Sequence, residues 1–279
     1  MSDKKLQIKD FEKNNYFATQ ELVDVVNAAL FLDKPLLIEG PAGTGKTYLA
    51  KSLSNMLSKE LIRLQCHEGI DEDKAIYEWD YKKQLLSIQN DKNEKDLFTD
   101  EYLIERPILK SLKTSDSLFL VDEIDRSDEE FEALLLEVLA EKQVTIPELG
   151  TVAGEGNNFT ILTSNATRDL SEALRRRCIY FFLDYPSIDI ETKVILSNVE
   201  SISEEKAKKY SLFSSFIRKL NLNKTPSLIE TVEWVKYNHE NNHEELDSNI
   251  GILIKDIDDQ KLYKEKLKEN NDFKNGSVT

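Results

Sequence analysis

The sequence predicts an α/β fold, with a five-stranded parallel sheet in a three-layer αβα core followed by a small all-helical domain. Three observations predict it. Short apolar runs bounded by turn residues recur at Leu36–Glu39, 61–66, 118–122, Phe159–Ser164 and 179–183, each the length of a strand buried on both faces. Helical periodicity lies between them, most clearly over residues 47–57 and 127–141, and strands alternating with helices build parallel sheets covered on both sides. After Tyr185-Pro186 there is no further strand-like run, and apolar residues return at helical spacing over 228–237 and 250–262.

These observations set the expected organisation: a core over 1–186, a helical domain over 187–266 and a disordered tail over 267–279. The polar stretch 90–96 is expected to be a loop within the core, and no internal repeat is present. A chain of 279 residues with 40% hydrophobic content can bury a core in both parts. Trp79 and Trp234 both fall on helical patterns and are expected inside, where tryptophan is mostly found.

Composition excludes several classes of function. No apolar run approaches the roughly 20 residues of a membrane span, and residues 1–10 lack the apolar segment of a signal or transit peptide, so a cytoplasmic protein is expected. Cys66 and Cys178 are too few for a disulfide framework and have no metal-ligand spacing, which predicts two small buried side chains. His67, His239 and His243 are scattered and suggest no metal cluster or catalytic triad. Against 37 basic residues stand 52 acidic ones, a net charge of −15, which opposes attraction to a nucleic-acid backbone.

Chemistry enters with the first apolar run. It leads into Gly40-Pro41-Ala42-Gly43-Thr44-Gly45-Lys46-Thr47-Tyr48, which satisfies G-x-x-x-x-G-K-[ST] between a strand and a helix, the context that a phosphate-binding loop requires. Glycines let main-chain N–H groups face a phosphate, the helix N-terminus adds its dipole, Lys46 offsets charge and the Thr47 hydroxyl can ligate Mg²⁺. The run at 118–121 ends in Asp122-Glu123. Asp122 can hold the Mg²⁺ ligated by Thr47. Because strand side chains alternate, Glu123 points elsewhere and can act as general base on a water beside the γ-phosphate. A third run ends in Asn165, placed either to orient that water or to serve as a turn residue. Arg175-Arg176-Arg177 precedes the fifth run and is either a solvated patch or the source of an arginine supplied to a neighbouring subunit's γ-phosphate. In the acidic run 122–130, Ser127 with Glu130 fits a helix-capping box, the preferred alternative to a second metal site.

Taken together, these motifs resemble AAA+ ATPases of the MoxR family, most closely its CoxD-like branch. Further stretches carry the likeness: residues 61–69, 76–81, 122–151, 162–165 and 173–178, covering about 16–186 with a weaker match through Trp234. The resemblance implies a nucleotide-binding core with Gly40 to Tyr48 and Asp122 on ATP and Mg²⁺, and Thr47 and Asp122 on the metal. It implies Lys46 and Thr47 as the Walker A pair, Asp122 and Glu123 as Walker B, Asn165 as sensor 1 and Arg176 or Arg177 as the trans-acting finger. It also implies a helical lid, a hairpin over 143–159 that contacts a partner, a homo-oligomeric hexameric ring, a partner with a von Willebrand factor A domain and a chaperone-like task. For the CoxD-like branch, the client enzyme is a molybdenum-containing hydroxylase. One departure stands out: where many members carry a sensor 2 arginine, Thr225-Pro226-Ser227 puts Ser227 in its place, with Lys224 close by as a substitute. AAA+ proteins often place adenine contacts where residues 16–18 lie.

Three functions compete on this reading: a ring-forming remodelling ATPase, with the gas-vesicle type as a near relative; a nucleic-acid motor or loader; and a small-molecule kinase or nucleotide switch. Order of motifs favours the first and charge disfavours the second.

Overall fold

A computed structural model describes residues 5–90, 96–154, 156–243 and 245–269. In chain order these form α1 Ile8–Lys13, α2 Gln20–Leu32, β1 Leu36–Glu39, α3 Lys46–Leu57, β2 Glu60–Gln65, α4 Glu72–Ala75, β3 Tyr77–Trp79, α5 Tyr81–Asn90, β4 Leu103–Glu105, α6 Pro107–Lys113 and β5 Ser117–Asp122. They continue with α7 Glu129–Glu141, β6 Gln143–Ile146, β7 Gly150–Ala153, β8 Phe159–Ser164, α8 Glu172–Arg177, β9 Ile179–Phe182, α9 Ile188–Asn198, α10 Glu204–Arg218, α11 Leu228–Glu240 and α12 Ile257–Glu269. No helix of the described residues is long and apolar enough to cross a membrane.

The chain divides into two compact units. The first takes in Thr19–Gly40 and Lys46–Leu183 with the residues before 11; the second takes in Phe11–Ala18, Pro41–Gly45 and the chain from Asp184. In the first, the five expected runs form one sheet in the order β2-β5-β8-β1-β9, parallel at every pairing. All residues of β1 and β5 are buried, as a parallel sheet covered on both faces demands. Alternation sends Leu37, Phe119, Val121 and Leu162 into one core with Ile108, Leu109 and Leu112 of α6 and Phe131, Leu135 and Val138 of α7. Leu36, Ile38, Leu118, Leu120 and Ile161 alternate to the other face and are fully buried, and α3 runs against β2, β5 and β8 with Leu49 and Leu53 buried. The α/β class and the αβα layering are those the sequence predicts.

Two small ribbons were not all foreseen. β6 and β7 form the hairpin expected between 143 and 159. β3 and β4 pair antiparallel across a long excursion, so Trp79 is buried in a strand and not on the helix its spacing suggested. Strands of three residues are too short to show a period of two. Residues 91–95 of the expected polar loop lie outside the described residues.

The capping box expected at Ser127 and Glu130 is absent. Asp128 is the N-cap of α7, its carboxylate accepting the Phe131 amide at 2.9 Å. Ser127 closes the preceding 3-10 turn over 124–126 and turns its buried hydroxyl back to the Ile124 carbonyl at 2.8 Å. Ser127 is thus the C-cap of that turn, and α7 begins one residue later than a box at Ser127 would require.

In the second unit, α9 to α12 close over a core of Ile195, Ala207, Tyr210, Phe213, Ile217, Trp234, Val235 and Tyr263. Thr231, Trp234, Val235 and Asn238 are the buried face of α11, the i, i+3, i+4, i+7 stripe of an amphipathic helix. Trp234 stacks on Phe213 at 5.4 Å and meets the edge of Tyr210 at 5.0 Å, while its indole N–H donates to the Ser248 carbonyl at 2.9 Å. The periodicity over 250–262 splits into a 3-10 turn at Ile250–Ile252 and α12. α12 reaches Glu269, into the stretch expected to be tail; residues 270–279 lie outside the described residues.

Candidate functional site

Parallel pairing aligns the carboxyl ends of β1, β5 and β8, the edge where such sheets bind ligands. Register places Glu39 opposite Ser164 and Gln65 opposite Asp122. The glycine loop, the Asp122-Glu123 pair and Asn165 therefore leave adjacent strands at one edge of the first unit.

Gly40 ends β1. A Cβ there would lie 2.0 Å from the Leu183 carbonyl oxygen, a main-chain atom that cannot move aside. Gly43 and Gly45 take left-handed φ of 77° and 98°, which side chains disfavour. Lys46 begins α3, buried, with Nζ donating to the Gly40 carbonyl at 2.8 Å. Burial lowers its pKa, and the carboxylates of Asp125, Asp122 and Glu123 pull it back up. Thr47 and Tyr48 follow, both exposed.

The Thr47 hydroxyl stands 3.0 and 3.1 Å from the two Asp122 oxygens. Two oxygens on neighbouring vertices of an Mg²⁺ octahedron, each about 2.1 Å from the ion, lie about 3 Å apart. The pair fits a magnesium ion. Asp122 is also bound by the Thr163 hydroxyl at 2.5 Å and by Arg63, whose Nε and Nη2 reach Oδ2 at 2.9 and 2.6 Å. Glu123 departs from the strand with φ 57°, an uncommon conformation for a side-chain-bearing residue. Its amide donates to Thr163 Oγ1 at 2.9 Å, Gln65 Nε2 donates to its Oε2 at 2.9 Å, and Arg126 lies 3.3 Å from the same oxygen.

Asn165 is half-buried just past the end of β8, and its main-chain N–H donates to Asp125 Oδ1 at 3.1 Å. The Thr167 amide and hydroxyl donate to the other Asp125 oxygen at 3.0 and 2.6 Å. Burial raises the Asp125 pKa, but these bonds outweigh it and hold the carboxyl below its ordinary range.

The arginine triplet divides. Arg175 turns inward to Glu39 Oε2 at 2.9 Å and over the Tyr180 ring, whose hydroxyl donates to Glu39 Oε1 at 3.1 Å. Arg176 and Arg177 are exposed: the first pairs with Glu172 at 2.5 Å, and the second reaches the Leu136 carbonyl at 3.4 Å. Cys66 and Cys178 are free and buried, and burial pushes both thiols up to about 12.

In the second unit, loop residues 41–45 meet the start of α11. The Leu228 amide donates to the Gly43 carbonyl at 3.1 Å, and a Cβ on Gly43 would come 2.1 Å from Ser227 Cβ. Ser227 caps α11 in a capping box with Glu230. Exposed Lys224 gives its amide to Asp259 at 2.9 Å. Tyr16, from the segment where adenine contacts are expected, is buried, and the desolvation of burial raises its pKa.

Sequence reasoning missed Arg63, Gln65, Thr163 and Asp125. The signal for the first two was alternation: both face out of β2, whose intervening residues are buried. Thr163 and Asp125 gave none, since their partners lie about forty residues away in sequence.

Residues 35–178, a little over half of the chain, match the family model of the AAA domain, dynein-related subfamily. An uncharacterized protein of Staphylococcus epidermidis strain ATCC 12228 is 26% identical over 192 residues, 67% of this chain and 68% of the relative. One from Staphylococcus haemolyticus strain JCSC1435 is 28% identical over 190 residues, 66% of this chain and 68% of the relative. A crystal structure of a provisionally named ATPase from Cytophaga hutchinsonii is similar at TM-score 0.52 with 18% identity, covering 76% of this chain. The match spans 66% of that protein, just under two thirds of its length. At this identity the likeness is one of fold.

Proposed function

This chain belongs to the AAA domain family, dynein-related subfamily, and from that premise we propose that it binds ATP with Mg²⁺, hydrolyses it and couples turnover to remodelling of a protein partner. The observation that carries the reading is the Thr47 hydroxyl at 3.0 Å from Asp122, two oxygens 75 residues apart in sequence at the spacing of magnesium ligands. In this reading, residues 40–48 hold the phosphates and Lys46 neutralises them. Thr47 and Asp122 would hold Mg²⁺, which supplies charge for the β- and γ-phosphates. Glu123 accepts a proton from the attacking water, and Asn165 orients that water. Arg176 and Arg177, exposed while Arg175 is committed to Glu39, are the groups available to a neighbouring subunit.

The MoxR resemblance extends the proposal to a hexameric cytoplasmic ring, a partner with a von Willebrand factor A domain and maturation of a client such as a molybdenum-containing hydroxylase. Two measurements test it. Turnover per subunit should fall on dilution through ring dissociation and fall again in Arg176→Ala/Arg177→Ala; constant turnover in both experiments rules out a shared site. Glu123→Gln should still bind ATP, lose ~10² to 10⁴-fold in turnover and retain a partner on affinity purification in ATP and Mg²⁺. Recovery of the chain alone would count against remodelling.

A further inference from the structure

The geometry points to Arg63 as a resident counter-ion of Asp122 that a divalent cation must displace, a positioning role that rests on the reading of Asp122 as a metal residue. A carboxylate offers about four lone-pair positions to donors. Those of Asp122 are all in use. Oδ1 accepts the hydroxyls of Thr163 at 2.5 Å and Thr47 at 3.0 Å, and Oδ2 accepts Arg63 Nε at 2.9 Å and Nη2 at 2.6 Å. A metal ion, or a water bound to one, joins this carboxylate only when one of the four leaves.

Burial and charge decide which. Thr163 is 1% exposed, and its hydroxyl also accepts the Glu123 amide at 2.9 Å, so its departure would orphan a main-chain donor. Thr47 is the other ligand of the metal and stays. The Arg63 side chain is 50% exposed and stands on β2, the edge strand of the sheet. It can move into water without stranding a buried group. While no divalent cation is present, its guanidinium offsets Asp122 beside two further carboxylates, Glu123 and Asp125. Once the cation arrives, two positive groups compete for one oxygen.

The consequence has opposite signs in two conditions. Without Arg63, a divalent cation meets less competition, so less Mg²⁺ is needed. Without both Arg63 and Mg²⁺, nucleotide phosphates face an uncompensated Asp122, so metal-free binding weakens. A merely structural role would not produce this crossing.

The test is an Mg²⁺ titration of the full chain with a fluorescent ATP analogue, repeated in EDTA, for the wild type, Arg63→Gln, Arg63→Lys and Asp122→Asn. Arg63→Gln should lower the half-saturating Mg²⁺ by about three- to tenfold and weaken binding in EDTA by a similar factor. Arg63→Lys, with charge but no fork, should fall between, and it carries the test if thermal unfolding shows the glutamine variant to be misfolded. A half-saturating Mg²⁺ that stays or rises in a folded Arg63 variant overturns the competition. Asp122→Asn separates the premise: if it leaves the Mg²⁺ dependence intact, Asp122 does not take the metal and both readings fall. If it removes that dependence while Arg63 variants behave as wild type, only the role of Arg63 fails.

Discussion

Thr163 binds the two neighbouring carboxylate residues at once, donating to the Asp122 side chain and accepting the Glu123 amide. Its replacement by the isosteric valine removes a charge-assisted bond and leaves a main-chain donor unpaired. Thr163→Val should lower unfolding free energy by about 1–3 kcal/mol and turnover by about tenfold or more. Urea unfolding and steady-state hydrolysis measure the two. Asp125 gives a pH signature. Its folded carboxyl titrates below the ordinary range, so its contribution to stability is complete above the unfolded pKa and is lost as pH falls through the depressed folded value. Asp125→Asn should cost about 1–3 kcal/mol at neutral pH, and the gap to wild type should stay constant down to about pH 5 and narrow as the pH falls through and below the ordinary carboxylate pKa of about 3.9, from about pH 5 to pH 3. A gap constant over that range would mean that Asp125 does not titrate as its hydrogen bonds require.

Among the elements, α7 shows how a serine and an aspartate compete for one task. Ser127 and Asp128 are both good N-caps, and the preceding 3-10 turn decides by keeping Ser127 as its own C-cap, which leaves Asp128 to begin α7. Asp128→Ala should cost about 1 kcal/mol, whereas Glu130→Ala, at the position where a Ser127 capping box would have required glutamate, should cost less than about 0.5 kcal/mol. Chemical denaturation of both variants ranks them, and the reverse ranking would restore the box at Ser127. In α11 the structure does form a full capping box, with Ser227 and Glu230 bonding reciprocally. The site's elements differ in the same way. Glycine loop and strand-end carboxylates are visible in sequence because each is a local pattern, while the β3–β4 ribbon joins three-residue segments with no pattern of their own.

For the molecule as a whole, each unit has its own core, and the second contains a buried charge pair. Arg218 meets Glu191 through two bonds of 2.7 and 2.8 Å, with side chains 7% and 0% exposed. Arg218 also donates to the Pro226 carbonyl at 3.0 Å and Thr231 Oγ1 at 2.9 Å, and lies 4.9 Å over the Tyr185 ring. Removing one member strands the other, so Glu191→Ala should cost about 3–5 kcal/mol. Denaturant unfolding followed by tryptophan fluorescence reads it through Trp234, and a loss under about 1 kcal/mol would mean that water reaches Arg218. The pair ties the end of α10 to α9, and the bond from Arg218 to Pro226 ties it to the turn before α11.

By itself the sequence determined the α/β class, five strands and a helical region beyond them, because burial on two faces and helical amphipathicity are written in local periodicity. It likewise contained the phosphate loop, whose glycines and lysine are contiguous. Only the tertiary structure decided the spatial order β2-β5-β8-β1-β9 and the partners that order creates: Arg63 with Asp122, Asp125 with Asn165, Arg175 with Glu39. Such contacts join residues 40 to 136 positions apart. The sheet's packing chooses them, since neither partner carries a local mark of the other.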